Sequence, residues 1–600
     1  MSIQKTKLII VIFSLTLINN LIAYFLSSRE IVLDFKNISL IFIFTTIWSF
    51  FIQKAKTKNS IILLYIISCI LGFTVPTLAY FSEPSFLQRL MKDFLFWYSL
   101  PLALLAPITW IKLSKKNSVA IASIATIISV AALIPLLAML LYYSIFETQI
   151  STDSILALLQ TNKQEALEFL KTYLSSKAIA LFALLLISII FATFKFYKSL
   201  FSIKACTPPL HKRSLFIILN IILFLSCIMF AEKSYLVRSV NDALKRNNEI
   251  NNFSLYSKAR IQKLHTDTSL QLATENNNFA LIIGETHARS NMSAYGYKRN
   301  TTPWLAAASK NGDILLLQNS FSNAGVTTGS LEYAISAMNQ YNNITYENAI
   351  TITEIAQASG FNVVWISNQI DDNIAGIIGH EAKHQYWLNQ KHNDTWMRQK
   401  NSMFDDKILQ CLETLPAQTS KTLFVINLLG SHASYDCRYP DSFNKWNDKE
   451  NLLNAYDNSV LFNDYVMSEI YKLLFNKFNV SGMVYFADHG EELKLKFCHG
   501  NEYFYENYKK YPSVKEIVKI PVYFAFSKEY QQQHPETIRA LKANSNKYFT
   551  NDMIYDTMLG LMRVPEPYYN SKYDISSNKY NMSLNELRTL HGKVKLEDCL

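Results

Sequence analysis

The first 232 residues of this 600-residue chain alternate long apolar runs with short lysine- and arginine-rich clusters. The apolar runs fall at 8–27, 38–53, 60–81, 94–111, 118–144, 178–197 and 214–231. An α-helix needs about 20 apolar residues to cross the hydrocarbon core of a bilayer, and each run is close to that length. The pattern predicts an α-helical polytopic membrane domain of about seven helices over 1–232.

The basic clusters lie at the N-terminus and after the second, fourth and sixth apolar runs, which is every second loop. Because positively charged loops stay on the cytoplasmic face, an odd number of helices places everything after Lys233 on the outer face. No small-residue cleavage site follows the first run, so we interpret that run as an anchor and not as a signal peptide.

The formal net charge of +11 raises the question of nucleic-acid binding. Much of the surplus lies in the juxtamembrane loops that fix topology, so we expect no nucleic-acid partner. Attraction to anionic lipid surfaces is a secondary interpretation of the same charge.

Four of the seven cysteines, Cys411, Cys437, Cys498 and Cys599, lie in the outer part of the chain. An oxidising compartment would allow at most two disulfides among them. The sequence leaves both this arrangement and unpaired structural thiols open.

Residues 233–278 are polar and charged, with apolar side chains such as Leu236 and Phe253 spaced through them. We interpret this segment as an interfacial helix followed by a linker. A second candidate for the membrane surface is the amphipathic stretch 162–174, which lies in the outer loop between the fifth and sixth runs.

From Phe279 onward, short apolar runs alternate with amphipathic stretches. The apolar runs are 279–283, 362–366, 422–429, 483–487 and 520–526. The helical candidates are 302–309, 350–359, 403–414, 452–475 and 552–562. Continuous apolar runs of this length are typical of buried parallel strands. The alternation predicts an α/β domain over 279–600, with a mainly parallel sheet flanked by helices.

Chemically reactive residues follow three of the predicted strands directly. Glu285 follows the first, His432 the third, and the pair Asp488 and His489 the fourth. In open α/β sheets, ligands gather at the carboxyl ends of the strands. An Asp-His pair alone is more often a helix cap or a turn, but two carboxylates and an imidazole at one sheet edge suit Zn²⁺ with one position left open.

The segment 319–330, with the sequence NSFSNAGVTTGS, is small and polar and follows the strand-like run 314–317. Without the neighbouring motifs it would be interpreted as an ordinary serine- and threonine-rich turn. Beside a metal, such a loop can present a hydroxyl nucleophile, because the cation lowers the hydroxyl pKa.

These motifs together resemble the phosphoethanolamine transferases of the Gram-negative envelope, in the alkaline phosphatase/sulfatase superfamily. The resemblance covers most of the chain from about Val119. It rests on LIIGETHARSNMSAYGYKRNTTPWL from Leu281, VVWISNQ from Val363, LLGSHASYDCRYP from Leu428, LNAYDNSV from Leu453, YFADHGEEL from Tyr485 and CHG from Cys498, with LLQTNKQEALEFL from Leu158 similar to the family's periplasmic loop.

The resemblance implies a Zn²⁺ held by Glu285, Asp488, His489 and the nucleophile. The spacing from Ser330 in the family places that nucleophile on Thr327, with Thr328 as its nearest rival. His432 and His499 match histidines that bind a second metal or the transferred phosphate and serve in acid/base catalysis.

The implied donor is phosphatidylethanolamine, and the implied acceptor is lipid A or the lipopolysaccharide core. The implied location is the cell inner membrane, with the sulfatase-like catalytic domain in the periplasm and both lipid substrates reached at the bilayer.

The chain departs from the family pattern around the nucleophile. Members that modify lipid A often have cysteines on either side of this loop, where Asn323 and Tyr333 stand here, and Glu332 replaces a common proline. Asn427 stands where a histidine often precedes the GSH motif. These differences leave the acceptor open between lipid A and core sugars.

Two alternatives remain at this stage. One is transfer of glycerol phosphate from phosphatidylglycerol with the same metal-bound threonine. The other is a non-catalytic, lipid-sensing membrane protein that keeps the fold, which the complete ligand set disfavours. A sulfatase is disfavoured because the loop lacks the C/S-x-P-x-R pattern, and a transporter because the apolar runs lack paired charges.

Overall fold

The computed structural model describes the chain in segments. These are 115–146, 150–160, 176–201, 234–267, 277–369, 373–389, 404–418, 420–448, 451–494 and 512–600, together with the single positions 218, 221, 222, 225, 270 and 509. One compact unit comprises Met1–Ile150 and Phe169–Asp242, and a second comprises Ser151–Glu168 and Ala243–Leu600.

In the first unit, helix α1 (Lys115–Phe146) packs against helix α3 (Ser176–Phe201). The hydroxyls of Ser129 and Tyr197 share a hydrogen bond of 2.7 Å in this contact. These helices coincide with the fifth and sixth apolar runs, whereas the first four runs and nearly all of the seventh lie outside the described residues. Within the part of the chain that the structure describes, none of the helices combines the length and the apolar character that a membrane span needs.

The second unit includes helix α2 (Thr152–Gln160), and helix α4 (Tyr235–His265) extends through the segment predicted as an interfacial helix. The buried side chains of α4 recur at intervals of three and four residues, as expected for one face of a helix that packs against a neighbour. They are Leu236, Ser239, Ala243, Ile250, Phe253, Ser257, Arg260 and Leu264. The location of α4 at a membrane interface stays a prediction. The predicted amphipathic stretch 162–174 lies outside the described residues.

The described residues from Asn278 onward include a seven-stranded sheet in the order β2-β8-β7-β1-β6-β4-β5. Its strands are β1 (Asn278–Gly284), β2 (Ile314–Leu316), β4 (Asn362–Ser367), β5 (His384–Trp387), β6 (Thr422–Asn427), β7 (Val480–Ala487) and β8 (Val522–Phe526). The central strand β1 runs parallel to β6 on one side and to β7 on the other. This confirms the predicted α/β fold with a mostly parallel sheet.

One predicted strand direction is wrong. The run 520–526 was expected to form a parallel strand, but β8 pairs antiparallel with β7, and β2 in turn pairs antiparallel with β8. An apolar run records that both faces of a strand are buried and carries no information about the direction in which the strand runs.

Among the described residues, ten α-helices accompany these strands. The helices are α5 (Pro303–Asn311), α6 (Thr327–Ala334), α7 (Ile352–Ala358), α8 (Ile374–Gly379), α9 (Asp406–Thr414), α10 (Leu452–Asn476), α11 (Lys515–Val518), α12 (Lys528–Gln533), α13 (Pro535–Asn544) and α14 (Ile554–Leu561). Five of them, α5, α7, α9, α10 and α14, coincide with the predicted amphipathic stretches. A large core lies between the sheet and α5, α9 and α10, and it includes Ile282, Leu412, Phe424, Val466 and Tyr485.

Two further strand pairs lie outside the main sheet. Strand β3 (Asn319–Phe321) pairs parallel with β9 (Tyr548–Thr550), and β10 (Arg588–Thr589) pairs antiparallel with β11 (Val594–Lys595). The predicted loop 319–330 is therefore shorter than expected, because β3 occupies its start and α6 its end. Cys411 and Cys599 form no disulfide with each other or with Cys437, and Cys498 lies outside the described residues.

Candidate active site

The ends of β1 and β7 bring Glu285 and Asp488 together. Gly284 is paired with Ala487 in the parallel register, so the residue that follows each strand emerges at the same sheet edge. His489 comes next, and the ligand atoms of Glu285, Asp488 and His489 all lie within 4.8 Å of one another. We call these three residues the metal cluster. All three side chains are buried, and strand geometry alone is enough to collect them.

Thr327 completes this arrangement from the first position of α6. Its Oγ1 lies 3.3 Å from both carboxylate oxygens of Glu285 and 3.5 Å from Nε2 of His489. The side chain of Thr327 is half-buried, so it borders both the metal cluster and solvent. The hydroxyl of Thr327 therefore contacts the cluster, and the choice of Thr327 over Thr328 as nucleophile stays a prediction.

The hydrogen bonds of the metal cluster leave lone pairs pointing inward. His489 Nδ1 lies 2.8 Å from the carbonyl oxygen of Gly490, which only accepts, so Nδ1 carries a proton and, in a neutral ring, the lone pair is on Nε2. That Nε2 lies 3.3 Å from Asp488 Oδ2 and 3.5 Å from Glu285 Oε1. Asp488 Oδ2 has no hydrogen-bond partner among the described residues. A lone pair facing two carboxylates is repulsive unless a cation lies between them.

The acidities of the two carboxyl groups indicate the same need for a cation. Burial raises the pKa of Glu285 to about 8, and the neighbouring Asp488 adds to the rise. Burial also raises the pKa of Asp488 to about 6. Because burial penalises the ionised form, holding both groups as carboxylates requires a nearby positive charge. Two carboxylates, one imidazole and one hydroxyl are a donor set that fits Zn²⁺.

His432 lies in a turn that packs on the backbone of Glu285. The N–H of Ser431 donates to the carbonyl oxygen of Glu285 at 3.0 Å. Gly430 has a φ of +55°, and a Cβ at this position would lie 2.5 Å from that same oxygen, so only glycine fits. Burial, with Arg438 and His489 nearby, lowers the pKa of His432. The other predicted acid/base residue, His499, lies outside the described residues.

Two buried side chains that support the site were not predicted from the sequence. Gln369 donates from Nε2 to Glu285 Oε2 at 2.9 Å and to the carbonyl oxygen of Leu428 at 2.7 Å. Asp405 accepts from the N–H groups of Leu429 and Gly430 at 2.9 and 2.8 Å, which holds the His432 turn. Gln369 lies just beyond β4, so the rule that identified Glu285 would have identified it too.

A polar network ties α6 to the metal cluster. The carbonyl oxygen of Asp488 accepts from Ser330 Oγ at 2.6 Å and from Asn551 Nδ2 at 3.1 Å. Asn551 in turn bonds Ser330 Oγ at 2.8 Å and accepts from the side chain of Asn323 at 2.8 Å. The segment 319–330, which carries the predicted nucleophile and which we call the nucleophile loop, is thereby tied through its side chains to the strand end that supplies Asp488 and His489.

The part of the chain that carries this site is similar to known proteins. The sulfatase family model matches residues 277–564. The phosphoethanolamine transferase EptC of Escherichia coli (strain K12) is 25% identical over 449 residues, covering 69% of this chain and 75% of the relative. The phosphoethanolamine transferase EptA of Helicobacter pylori (strain ATCC 700392 / 26695) is 28% identical over 317 residues, covering 50% of this chain and 56% of the relative.

Among solved structures, the integral membrane protein lipooligosaccharide phosphoethanolamine transferase A (EptA) from Neisseria meningitidis is similar in fold. The TM-score is 0.54 at 20% sequence identity, and the match covers 86% of this chain and 97% of that chain. Residues 277–564 thus match the sulfatase family, and the chain is similar to phosphoethanolamine transferases of the alkaline phosphatase/sulfatase superfamily.

Proposed function

We propose that this protein transfers phosphoethanolamine from phosphatidylethanolamine to an envelope glycolipid, lipid A or the lipopolysaccharide core, through a phospho-Thr327 intermediate. The observation that carries the proposal is the position of the Thr327 hydroxyl, 3.3 Å from both Glu285 carboxylate oxygens and 3.5 Å from His489 Nε2. The names of the relatives in Escherichia coli and Helicobacter pylori supply the group that is transferred.

Glu285, Thr327, Asp488 and His489 would hold the zinc ion in this proposal. The ion would lower the pKa of the Thr327 hydroxyl and offset the negative charge of the substrate phosphate. The first turn of α6 also stabilises negative charge on Thr327 Oγ1 and on the substrate phosphate, because N–H groups at a helix N-terminus favour an anion beside them.

In the first half of the reaction, Thr327 Oγ1 attacks the donor phosphorus in line. A bond forms between Oγ1 and phosphorus, and the bond between phosphorus and the diacylglycerol oxygen breaks. A histidine, His432 or His499, takes the hydroxyl proton of Thr327 and passes it to the departing oxygen. Phosphoryl transfer depends mainly on positioning and charge stabilisation, so buried groups with fixed hydrogen bonds suit it.

In the second half, the acceptor's phosphate or hydroxyl oxygen attacks the same phosphorus from the vacated side. Where the acceptor is a hydroxyl, His432 or His499 takes its proton. Thr327 is released, which predicts ping-pong kinetics in which the lipid product leaves before the acceptor reacts.

We further propose that the chain is a multi-pass protein of the inner membrane, with residues 1–232 in the bilayer, 233–278 as an interfacial segment and linker, and 279–600 in the periplasm. Both substrates are lipids, so an anchored site at the headgroup layer avoids extracting them into water. The apolar runs of the sequence and the fold shared with an integral membrane protein support this arrangement.

The test is mass spectrometry of envelope lipids after expression of the full chain in a Gram-negative host that lacks such enzymes. A phosphoethanolamine increment on lipid A or core, absent with Thr327→Ala, is the expected result. A phosphoglycerol increment would overturn the donor assignment in favour of phosphatidylglycerol. If no lipid is modified and Thr327→Ala has the same biological effect as the parent, the non-catalytic alternative replaces the proposal.

A further inference from the structure

His591, near the C-terminus, contacts the nucleophile loop on both sides of Thr327. Its backbone N–H donates to the carbonyl oxygen of Asn323 at 2.9 Å, and its ring Nε2 lies 2.7 Å from the carbonyl oxygen of Gly329. The same ring stacks on Tyr333, with ring centres 4.7 Å apart and planes at 16°. One residue thus touches the loop before Thr327, the first turn of α6 and the last turn of α6.

The hydrogen bonds around the ring fix its tautomer. A carbonyl oxygen only accepts, so Nε2 carries the proton and Nδ1 presents a lone pair. Nδ1 lies 3.5 Å from Arg246 Nη2, which comes from α4. Arg246 Nη2 also donates to Glu332 Oε1 at 2.6 Å, and Tyr346 donates its hydroxyl proton to the other oxygen of Glu332. We call Arg246, Glu332 and His591 the loop clasp.

The charge arrangement suits a neutral imidazole. Burial lowers the pKa of His591, with Glu332 opposing this shift and Arg246 adding to it. A neutral ring with the proton on Nε2 matches an acceptor nitrogen beside a guanidinium. In that state Nδ1 also lies 3.6 Å from Glu332 Oε1, and Arg246, which contacts both groups, offsets the charge of the carboxylate.

The backbone at His591 is held in a conformation that L-residues rarely adopt. Leu590 and His591 have φ angles of 54° and 55°, in the left-handed region. Contacts on either side maintain this turn: Thr589 Oγ1 donates to the carbonyl oxygen of Ser322 at 2.6 Å, and the N–H of Gly592 donates to Gln340 Oε1 at 2.9 Å. Strain of this kind persists only where surrounding contacts over-determine it, and these contacts include the nucleophile loop itself.

We propose that His591 is a positioning residue for the transfer reaction, and that the loop clasp fixes the first turn of α6 so that Thr327 Oγ1 points at the metal cluster. The expected effect on catalysis rests on the proposed function. Its physical basis is that Gly329 is two residues beyond Thr327 in the same helical turn, so a tilt of that turn moves Oγ1 directly. Displacements near 1 Å are enough to slow a reaction about a hundredfold.

The first test compares His591→Ala with His591→Gln in the full-length protein. Alanine removes both the donor and the stacked ring, whereas glutamine restores a neutral N–H donor near the position of Nε2. We expect His591→Ala to lower kcat about tenfold to fiftyfold, with the KM for phosphatidylethanolamine changed less than about threefold, and His591→Gln to recover to within about fivefold of the parent.

The matched control is His534→Ala. His534 is also buried and packs on a tyrosine, with its ring centre 4.5 Å from that of Tyr530, and its ring contacts Arg563 and Glu536, which lie outside the nucleophile loop. This variant should lose thermal stability and keep its kcat. Equal losses of kcat in the His534 and His591 variants would show that His591 acts only through general stability, and would overturn the proposal.

A second readout does not depend on transferase activity. Amide hydrogen exchange of peptides covering 322–334 should quicken in His591→Ala and return toward the parent rate in His591→Gln, with no change there in His534→Ala. If the parent fails to transfer phosphoethanolamine but this exchange pattern holds, the proposed function fails and the clasp stands. Unchanged exchange in His591→Ala would overturn the clasp whatever the activity.

Discussion

The metal cluster and the loop clasp lie on two sides of Thr327 and are built differently. The cluster is assembled by the backbone: parallel strands β1 and β7 end side by side, and Glu285 and Asp488 are the next residues of each. The clasp is assembled by side chains from helix α4, helix α6 and the C-terminal segment, which no regular pairing brings together.

This difference separates two contributions to the reaction: the charges of the site and the position of the Thr327 side chain. The cluster supplies the charges that a phosphoryl-transfer site needs, and its position is guaranteed once the sheet forms. Thr327 lies on α6 and not at a strand end, so its distance from the cluster depends on the contacts that hold α6 in place. Damage to the cluster should therefore abolish chemistry, whereas damage to the clasp should make the same chemistry slower.

The largest effect is expected at the residue that both regions serve. Thr327→Ala removes the nucleophile, so transfer from phosphatidylethanolamine in vesicles should fall about a thousandfold or more. Thr328→Ala is the matched control, since Thr328 is the adjacent buried threonine, and its activity should stay within about fivefold of the parent. A phosphoethanolamine adduct trapped on the parent and mapped to Thr328 would contradict the assignment.

Asp488→Asn tests the cluster itself. The change removes a charge from a site where Asp488 Oδ2 lacks any hydrogen-bond partner in the described residues, so we expect loss of bound zinc and a fall in transfer of about a hundredfold or more. Metal content is measured by elemental analysis, and chelation of the parent should reproduce the loss and zinc should reverse it.

Asp464→Asn is the control for this change. Asp464 is also a buried carboxylate, but it accepts from the backbone N–H groups of Trp304 and Leu305 at 2.8 and 3.1 Å, at the start of α5. Its loss should lower stability and leave the zinc content intact. Zinc loss in both variants would mean that the metal is sensitive to any buried carboxylate and that the cluster is not its site.

The grouping of the metal-cluster residues was predictable from sequence because these residues follow the ends of two neighbouring strands. The apolar runs predicted the ends of β1 and β7 to within three residues. The first polar residues beyond those two strands are Glu285 and Asp488. The loop clasp left no such signal, because Arg246 is 86 residues from Glu332 and 345 from His591. Nothing in the pattern around His591 distinguishes it from a surface histidine, since only the folded chain brings it to Gly329.

Two arginines on the packed face of α4 allow an effect on folding stability to be separated from an effect on the position of Thr327. Arg260 is buried and donates from Nε and Nη2 to Glu354 at 2.8 to 3.1 Å. Arg260→Leu would leave that carboxylate buried without its partner, so we expect a loss of about 3–5 kcal/mol in the free energy of unfolding. The kcat per folded molecule should change less than about threefold.

Arg246→Leu is the counterpart on the same helix. It should lower kcat about threefold to tenfold with a smaller stability loss, because Arg246 is partly exposed and contacts α6 through Glu332. Chemical unfolding and steady-state kinetics on both variants provide the measurement. If the Arg260 variant lost more kcat than the Arg246 variant, α4 would act as a single scaffold and the clasp would have no separate role.

The smallest effect is expected where the metal cluster receives side-chain support, at Gln369. Gln369→Leu removes the donor to Glu285 Oε2, and groups that orient metal ligands in this way typically contribute about tenfold to a hundredfold in metal affinity. Zinc affinity should therefore fall by about tenfold, while kcat at saturating zinc should stay within about fivefold. Gln357→Leu, which removes a donor in α7 to the carbonyl oxygen of Glu381, should change neither quantity. An unchanged zinc affinity in Gln369→Leu would mean that the strand ends alone orient Glu285. The metal cluster would then depend on the backbone only, and it would differ from the loop clasp more than the contacts of Gln369 indicate.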